Sequence, residues 1–281
     1  MIKKWYVTGD CHRDFGRFRL TTDDGTNFKT DGETAVVILG DVGINYYLDE
    51  DDNKIKGSIA NTLKSTFYCL HGNHEARPQT IEDIKLIYDE NVDGEVYIQE
   101  NYPNIRYFKD WGIYNIGGYK TAVIGGAYSV DKWRRLICAG VNSKLDYDYL
   151  NCKKTHWFPD EQLSVEEMVE TVRDLRDQTY EFIFTHTCPI NWAPTDLFLS
   201  GISQDDIDKS MEIFLSELAQ KINWDIWCFG HYHDDRLVRP HVEMFYKDIE
   251  NLDTIWKRWQ NYDDYNELDW WLKKDPMFFM V

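Results

Sequence analysis

The sequence predicts an α/β fold, on three observations. Short runs rich in β-branched and aromatic residues recur along the chain, amphipathic helical periods fall between some of them, and Asp/Asn/His clusters follow several of the runs directly. Strands alternating with helices give a sheet covered by helices.

The apolar runs lie at 5–7, 35–39, 66–70, 113–116, 122–124, 182–184 and 226–229. Each is bounded by Gly, Asp or His and reads as a buried strand. Three helical stripes are expected to face the core. The first begins near Thr80 and uses Ile81, Ile84 and Ile87. The second opens on a capping box, Ser164-Val165-Glu166-Glu167, and continues through Val165, Met168, Val169, Val172 and Leu175. The third starts at Ser203-Gln204-Asp205-Asp206 and runs through Ile207, Met211, Phe214, Leu215, Leu218 and Ile222. Residues 1–249 are read as one domain, with 128–179 as an insertion that shapes a pocket. The tail, 250–281, is acidic and carries Trp256, Trp259, Trp270 and Trp271. It is expected to pack back on the domain, and self-association into a homo-oligomer is the rival.

Composition narrows the function. The chain has 281 residues, 43% of them hydrophobic, and a net charge of −18. So acidic a chain is not expected to bind nucleic acid generally, because it lacks the basic surface that neutralises phosphates. The six cysteines form no CxxC pair and read as reduced thiols. Cys11 and Cys188 flank candidate ligands and are taken as their neighbours. The start has no apolar stretch long enough for a signal peptide, and nothing approaches the ~20 apolar residues of a spanning helix. The expectation is a cytoplasmic protein without a membrane partner.

Five clusters carry the chemistry. They are Gly9-Asp10-Cys11-His12, Gly40-Asp41, Gly72-Asn73-His74-Glu75, Thr185-His186-Thr187 and Gly230-His231-Tyr232-His233. Ligands gather beyond the carboxyl ends of strands in α/β sheets, where loops converge. Residues two apart in an extended segment point to one side, so Asp10 with His12, and His231 with His233, can each place two ligands on one site. Asp10, His12, Asp41, Asn73, His186, His231 and His233 supply seven oxygen and nitrogen ligands, enough for two divalent ions. Asp41 stands alone after its strand and is the candidate bridge. A mixed N/O set without thiolate suits manganese first, and iron, zinc, nickel or cobalt, rather than calcium. Two such ions can share a water that ionises near neutral pH and attacks phosphorus in line. His74 is surplus to the ligand set and suits a general acid for the leaving oxygen. His71, His156 and His241 read as structural or surface groups.

The ordered set resembles the calcineurin-like metallophosphoesterases, whose pattern is Asp-x-His, Gly-Asp, Gly-Asn-His-Asp/Glu, His and Gly-His-x-His. The match runs from Gly9 to His233. The resemblance implies a four-layer αββα sandwich of two mixed β-sheets flanked by helices. It also implies that Asp10, His12 and His233 hold one metal, that Asn73, His186 and His231 hold the other, and that Asp41 bridges them, with His74 near the leaving group. The chain departs from two branches of the family. After Gly40-Asp41 it has no arginine of the Ser/Thr protein phosphatase kind, and His71 stands where both that branch and the diadenosine tetraphosphatases place an arginine before Gly-Asn-His-Glu. Phosphate contact then falls to Arg77, Arg134 or Arg135. The chain looks most like the bacterial and phage-type members. The expected substrate is a small phosphate ester, phosphorylated or nucleotide-like. A phosphoprotein substrate is the enzymatic alternative. A noncatalytic metal-binding scaffold is the alternative from another class, though no ligand is missing.

Overall fold

The structure is a computed structural model in which residues 2–19, 28, 30–138, 156–198, 200 and 203–261 are described. Six strands come first: β1 (Lys4–Thr8), β2 (Thr34–Ile38), β3 (Thr66–Cys69), β4 (Ile84–Asp89), β5 (Gly94–Gln99) and β6 (Ile105–Phe108). A second set follows: β7 (Trp111–Ile116), β8 (Tyr119–Ile124), β9 (Thr179–Thr185), β10 (Asn223–Phe229), β11 (Arg236–Arg239) and β12 (Val242–Met244). The last strand, β13 (Glu250–Asn251), returns to the first sheet. The sheets have the orders β13-β1-β2-β3-β6-β5-β4 and β11-β12-β10-β9-β8-β7. Both are mixed, with β1, β2, β3 and β6 parallel in one and β8, β9, β10 and β12 parallel in the other.

Strand alternation builds the layers. Trp5, Val7, Val37, Leu39 and Tyr68 face Phe182, Phe184, Ile226 and Cys228 in a core between the sheets. The intervening Tyr6, Val36, Ile38 and Phe67 face outward, against Ile59 of α1 (Glu50–Thr62) and Leu63 just after it. On the second sheet Ile183, Trp227 and Phe229 are covered by Leu175 of α3 (Val165–Leu175) and by Met211, Phe214, Leu215 and Leu218 of α4 (Ser210–Leu218). Helix α2 (Lys132–Cys138) lies between the second sheet's β8 and α3 in the chain. The result is the αββα sandwich expected from the resemblance.

Three helical expectations need correction. No helix starts near Thr80. Pro78–Thr80 is a 3-10 turn, and Ile84 and Ile87 lie in β4, which pairs with β5 from Ile84↔Gln99 to Asp89↔Gly94. A β-branched run ahead of a hairpin turn favours a strand, and a single i, i+3 triplet does not outweigh it. In α3 the capping box forms as expected, Ser164 Oγ accepting from Glu167 N at 3.2 Å and Glu167 Oε2 from Ser164 N at 2.7 Å. However, Val165 and Val169 are exposed; of the expected stripe, Leu175 is buried in the second-sheet cluster and Met168 and Val172 pack against it. The third helix begins at Ser210, because Ser203 caps only the 3-10 turn Gln204–Asp206. Helix α1 escaped the sequence reading because its interior is mostly polar; Asp49 caps it, and Glu50, Asp51 and Asp52 complement its dipole.

Beyond residue 249, Asn251 caps α5 (Leu252–Gln260), accepting from Asp253 N and Thr254 N. Leu252, Ile255 and Trp259 are buried in the inter-sheet core. Arg258 Nη1 donates to both oxygens of buried Glu243 at 2.8 Å. Trp270, Trp271 and the rest of 262–281 lie outside the described residues, as do Lys153, Lys154 and Cys152 of the insertion. Cys11, Cys69, Cys188 and Cys228 are buried free thiols. Among the described residues no helix is long and apolar enough to cross a membrane.

Candidate active site

The five clusters leave the carboxyl ends of β1, β2, β3, β9 and β10, which brings loops from both sheets to one place. Two groups of ligand atoms form there, each within 4.8 Å: Asp10, His12, Asp41 and His233, and Asp41, His186 and His231. Asp41 belongs to both. Within the first, His233 Nε2 lies 3.1 Å and His12 Nε2 3.6 Å from Asp10 Oδ2, and the two imidazole nitrogens are 2.8 Å apart. Within the second, His186 Nε2 is 3.3 Å from Asp41 Oδ1 and 2.9 Å from Asn73 Oδ1.

The surrounding backbone aims these atoms. His231 N donates to Asp10 Oδ1 at 2.8 Å and His74 N to Asp41 Oδ1 at 2.7 Å. Asn73 Nδ2 donates to Ser129 Oγ, which leaves its carbonyl oxygen for the site. His186 Nδ1 donates to the Leu39 carbonyl at 2.7 Å, so Nε2 faces Asp41. Close approach demands glycine at Gly40 (φ +93°), where a Cβ would sit 2.2 Å from His186 Nδ1, and at Gly72, where it would sit 2.2 Å from Asp41 Oδ1.

The backbone at these clusters is not the extended chain expected from the sequence. His12, Asp41, His231 and His233 all have positive φ, between 44° and 71°. The segments are turns, not extended strands, and strained backbone of this kind concentrates at functional sites. His231 and His233 therefore separate, one to each group. Asp10 and His12 still meet.

The electrostatics favour a cation. Burial raises the Asp10 carboxyl, but the adjacent His12 and His233 imidazoles outweigh it and leave it well below the usual range. Asp41 is likewise held low, chiefly by His186 and His74 against burial. Burial lowers His186, yet Asp41 and Asp10 lift it to about 9; the field that holds that proton also attracts a metal ion. Burial and the charge at His186 push His231 down to about 3, which keeps its imidazole neutral. Asp10 Oδ2 is buried and, although His233 Nε2 and His12 Nε2 lie close by, receives no well-formed hydrogen bond among the described residues. That orphaned oxygen and a thiolate-free donor set fit divalent metal ions. Burial keeps the Cys11 thiol protonated, at about 12, and the Cys188 thiol too, so neither competes.

The site opens into a cavity of about 470 Å³ lined by His12, Asp41, Asn73, His74, His231 and His233. His74 Nε2 lies 4.0 Å from Asp41 Oδ2 and 2.8 Å from Arg135 Nη2. The three candidate arginines part company. Arg134 lines the cavity. Arg135 is buried, clasped by Asp131 at 2.5 and 2.9 Å, and touches His74. Arg77 does not line the cavity; its guanidinium is consumed by Glu167, Asp110 and the carbonyls of Asp160 and Gln162. Arg13 is also a brace, bound to Asp52 and the Gly43 carbonyl. His156 stacks on Tyr46, itself stacked on His74, and so supports the site from behind. The sequence reading missed the wall made by Tyr128, Asp131, Ile190, Leu197, Phe198 and Glu212. No spacing signal marks it, since these residues meet only through the fold.

The family model of the calcineurin-like phosphoesterases matches residues 4–235. The chain belongs to this family, which implies divalent metal ions. No curated protein shows a significant match to it. Among solved structures, a phosphopantetheinyl hydrolase from Mycobacterium tuberculosis aligns over 99% of this chain and 98% of its own, at 11% identity and a TM-score of 0.40. At that distance the likeness bears on neither substrate nor residue roles.

Proposed function

We propose that the protein is a metal-dependent hydrolase of small phosphate esters, nucleotide-like or otherwise, that works with two divalent ions. The observation that carries this reading is a pair of ligand groups sharing one carboxylate, Asp41, on the wall of a cavity of ligand size. Asp10, His12, Asp41 and His233 would hold one ion, and Asp41, Asn73, His186 and His231 the other. When bound, such ions neutralise phosphoryl charge and make a water acidic enough to serve as nucleophile near neutral pH. Manganese is the first candidate.

The chain's own groups do the rest. Backbone N–H donors from His231 and His74 fix the Asp10 and Asp41 carboxylates, so little reorganisation is needed on binding. Arg134 offers positive charge on the cavity wall and would be the group to meet a phosphoryl oxygen. His74 stands where it can reach a leaving oxygen. A guanidinium only donates, so His74 Nε2 accepts from Arg135 in this arrangement. Burial lowers the His74 imidazole below its usual value, so the neutral ring would first have to take up a proton at Nε2, from solvent or from the attacking water, before giving it to a leaving oxygen there. A cavity of this volume suits a small ester better than a protein surface loop.

The test is hydrolysis of p-nitrophenyl phosphate and bis-p-nitrophenyl phosphate by metal-stripped protein, with and without added Mn²⁺. Metal-dependent turnover is expected, and the ratio of the two rates reads monoester against diester preference. Bound metal without turnover on either ester would favour the scaffold reading.

A further inference from the structure

The cavity has two chemically different sides. On one, the histidine–carboxylate cluster stands with Asp131 and Arg134. The other is mostly apolar. Ile190, Ala193, Leu197, Phe198 and Ile207 line it, all from the chain between β9 and α4, and Val130 joins them from the segment after β8. None of the six is buried, and Val130 is 39% exposed. Val130, Ile190, Phe198 and Ile207 belong to none of the apolar core clusters, so internal packing does not account for them. Tyr232 lies beside Phe198, its ring 26° from parallel and 6.4 Å away between centroids. The Tyr232 hydroxyl is engaged by Thr187 Oγ1 at 3.1 Å, so this residue offers the cavity a ring rather than a polar group. Glu212 lines the cavity too, but its carboxylate is taken up by Thr187 Oγ1 at 2.9 Å and by its own backbone N–H. Thr195, Gln204 and Lys209 are the remaining polar groups of the lining; none of them is buried, so none needs a ligand to satisfy it.

Apolar surface left open to water becomes favourable when a ligand covers it. Continuity with the cluster fixes the occupant, because a group lying on this side is joined to whatever the metal site holds. We propose that the apolar side holds the alcohol portion of the ester and that this portion is alkyl or aryl, with Phe198 and Ile207 as specificity residues. The inference rests on the phosphoesterase reading and narrows it: the substrate class is the phosphate ester of an apolar alcohol. A nucleoside or a sugar would set hydroxyls or base edges against carbon here and leave them without partners. An alkyl chain or a phenyl ring loses nothing by the same contact.

The test uses ethyl, n-butyl and n-hexyl phosphate, or the matching methyl n-alkyl diesters if diesters are the preferred type. The leaving group is a primary alkoxide throughout, so rate differences report burial of the chain rather than the chemistry. With Mn²⁺-loaded protein, kcat/KM should rise about two- to fourfold for each added methylene that reaches the wall, and by about tenfold or more from ethyl to n-hexyl. Uridine 5′-monophosphate or its methyl diester, also a primary ester, should be slower than the n-hexyl compound. Calorimetry should show n-hexylphosphonate binding more tightly than ethylphosphonate, with the more negative heat-capacity change. In the double variant Phe198→Ser with Ile207→Ser the hexyl-to-ethyl ratio should fall toward one. Purely structural damage would lower both esters alike and leave that ratio untouched. If the double variant does not fold, the wild-type series and the phosphonate binding decide. A flat series in the wild type, a uridine ester faster than the n-hexyl one, or a wild-type ratio surviving in the double variant overturns the proposal while leaving the hydrolase reading intact. No hydrolysis of any phosphate ester by metal-loaded protein removes the hydrolase reading and this one with it.

Discussion

Arg77 was a candidate phosphate contact by sequence and is a buried brace by structure, and the two roles predict opposite outcomes for Arg77→Met. Its side chain is only 6% exposed. Methionine would fill the space of the stem but supply none of the five donated hydrogen bonds. The largest loss falls on Asp110, 5% exposed, which faces Arg77 Nη1 at 3.1 Å and would keep the Gln79 amide at 2.6 Å and the more distant His71 Nδ1 at 3.7 Å. Removing one partner of a buried ion pair costs about 3–5 kcal/mol. Two carbonyls, of Asp160 and Gln162, also lose their donor, at about 1 kcal/mol each. Glu167 contributes little, because it is 28% exposed and retains the Ser164 amide. The retained Gln79 bond offsets part of the loss, so the net expectation is about 4 kcal/mol. For a chain of this size that lowers Tm by about 10 °C. Urea unfolding should show a lower midpoint, and KM for p-nitrophenyl phosphate should not change. Asp110→Asn added to Arg77→Met should recover about 1–2 kcal/mol, because it removes the stranded charge. An unchanged midpoint with a raised KM would refute the brace and restore Arg77 to the substrate.

Three further outcomes follow from the site and its surroundings. Asp41→Asn should lose bound metal by elemental analysis and about 10³-fold or more in turnover, since one carboxylate serves both ligand groups; full metal content in the variant would remove Asp41 as the bridge. His74→Asn should keep its metal and lose about 10²–10⁴-fold on phenyl phosphate while sparing p-nitrophenyl phosphate, whose leaving group needs no proton. Equal loss on both esters would take the acid role from His74. Glu161 is buried and accepts from Ser129 N at 3.0 Å and Ser129 Oγ at 2.5 Å, yet burial lifts its carboxyl from 4.5 to about 7. The folded state therefore holds a proton that the unfolded state releases, and stability should fall as pH rises from about 4.5 to about 7, by about 3 kcal/mol in all. Urea midpoints of the wild type and Glu161→Gln across pH 4.5–8 should diverge by that amount; parallel curves would show that Glu161 does not titrate in this window.

The sandwich was legible through the family resemblance, and the side chains that gather at one place were legible because each strand that carries a cluster is a compact apolar run ending in a motif whose residues are local in sequence. The helix expected near Thr80 became β4 because pairing with β5 satisfies a whole ladder of backbone groups, which no local period reveals. Val165 and Val169 read as core and are exposed because α3 turns only part of its apolar stripe, Met168, Val172 and Leu175, to the second-sheet cluster. Pattern identifies an apolar stripe; packing decides how much of it is covered.

The sequence by itself determined which side chains could hold metal, in what order they leave the strands, and that no thiolate is needed among them. These are properties of residue type and short spacing. The tertiary structure alone decided the rest. It set left-handed backbone at His231 and His233, spent Arg77 on a distant helix cap, set Arg135 against His74, and brought Glu212 to the wall of the same cavity. Each of those depends on contacts between residues far apart in the chain, where charge, burial and distance are settled only once the two sheets have packed together.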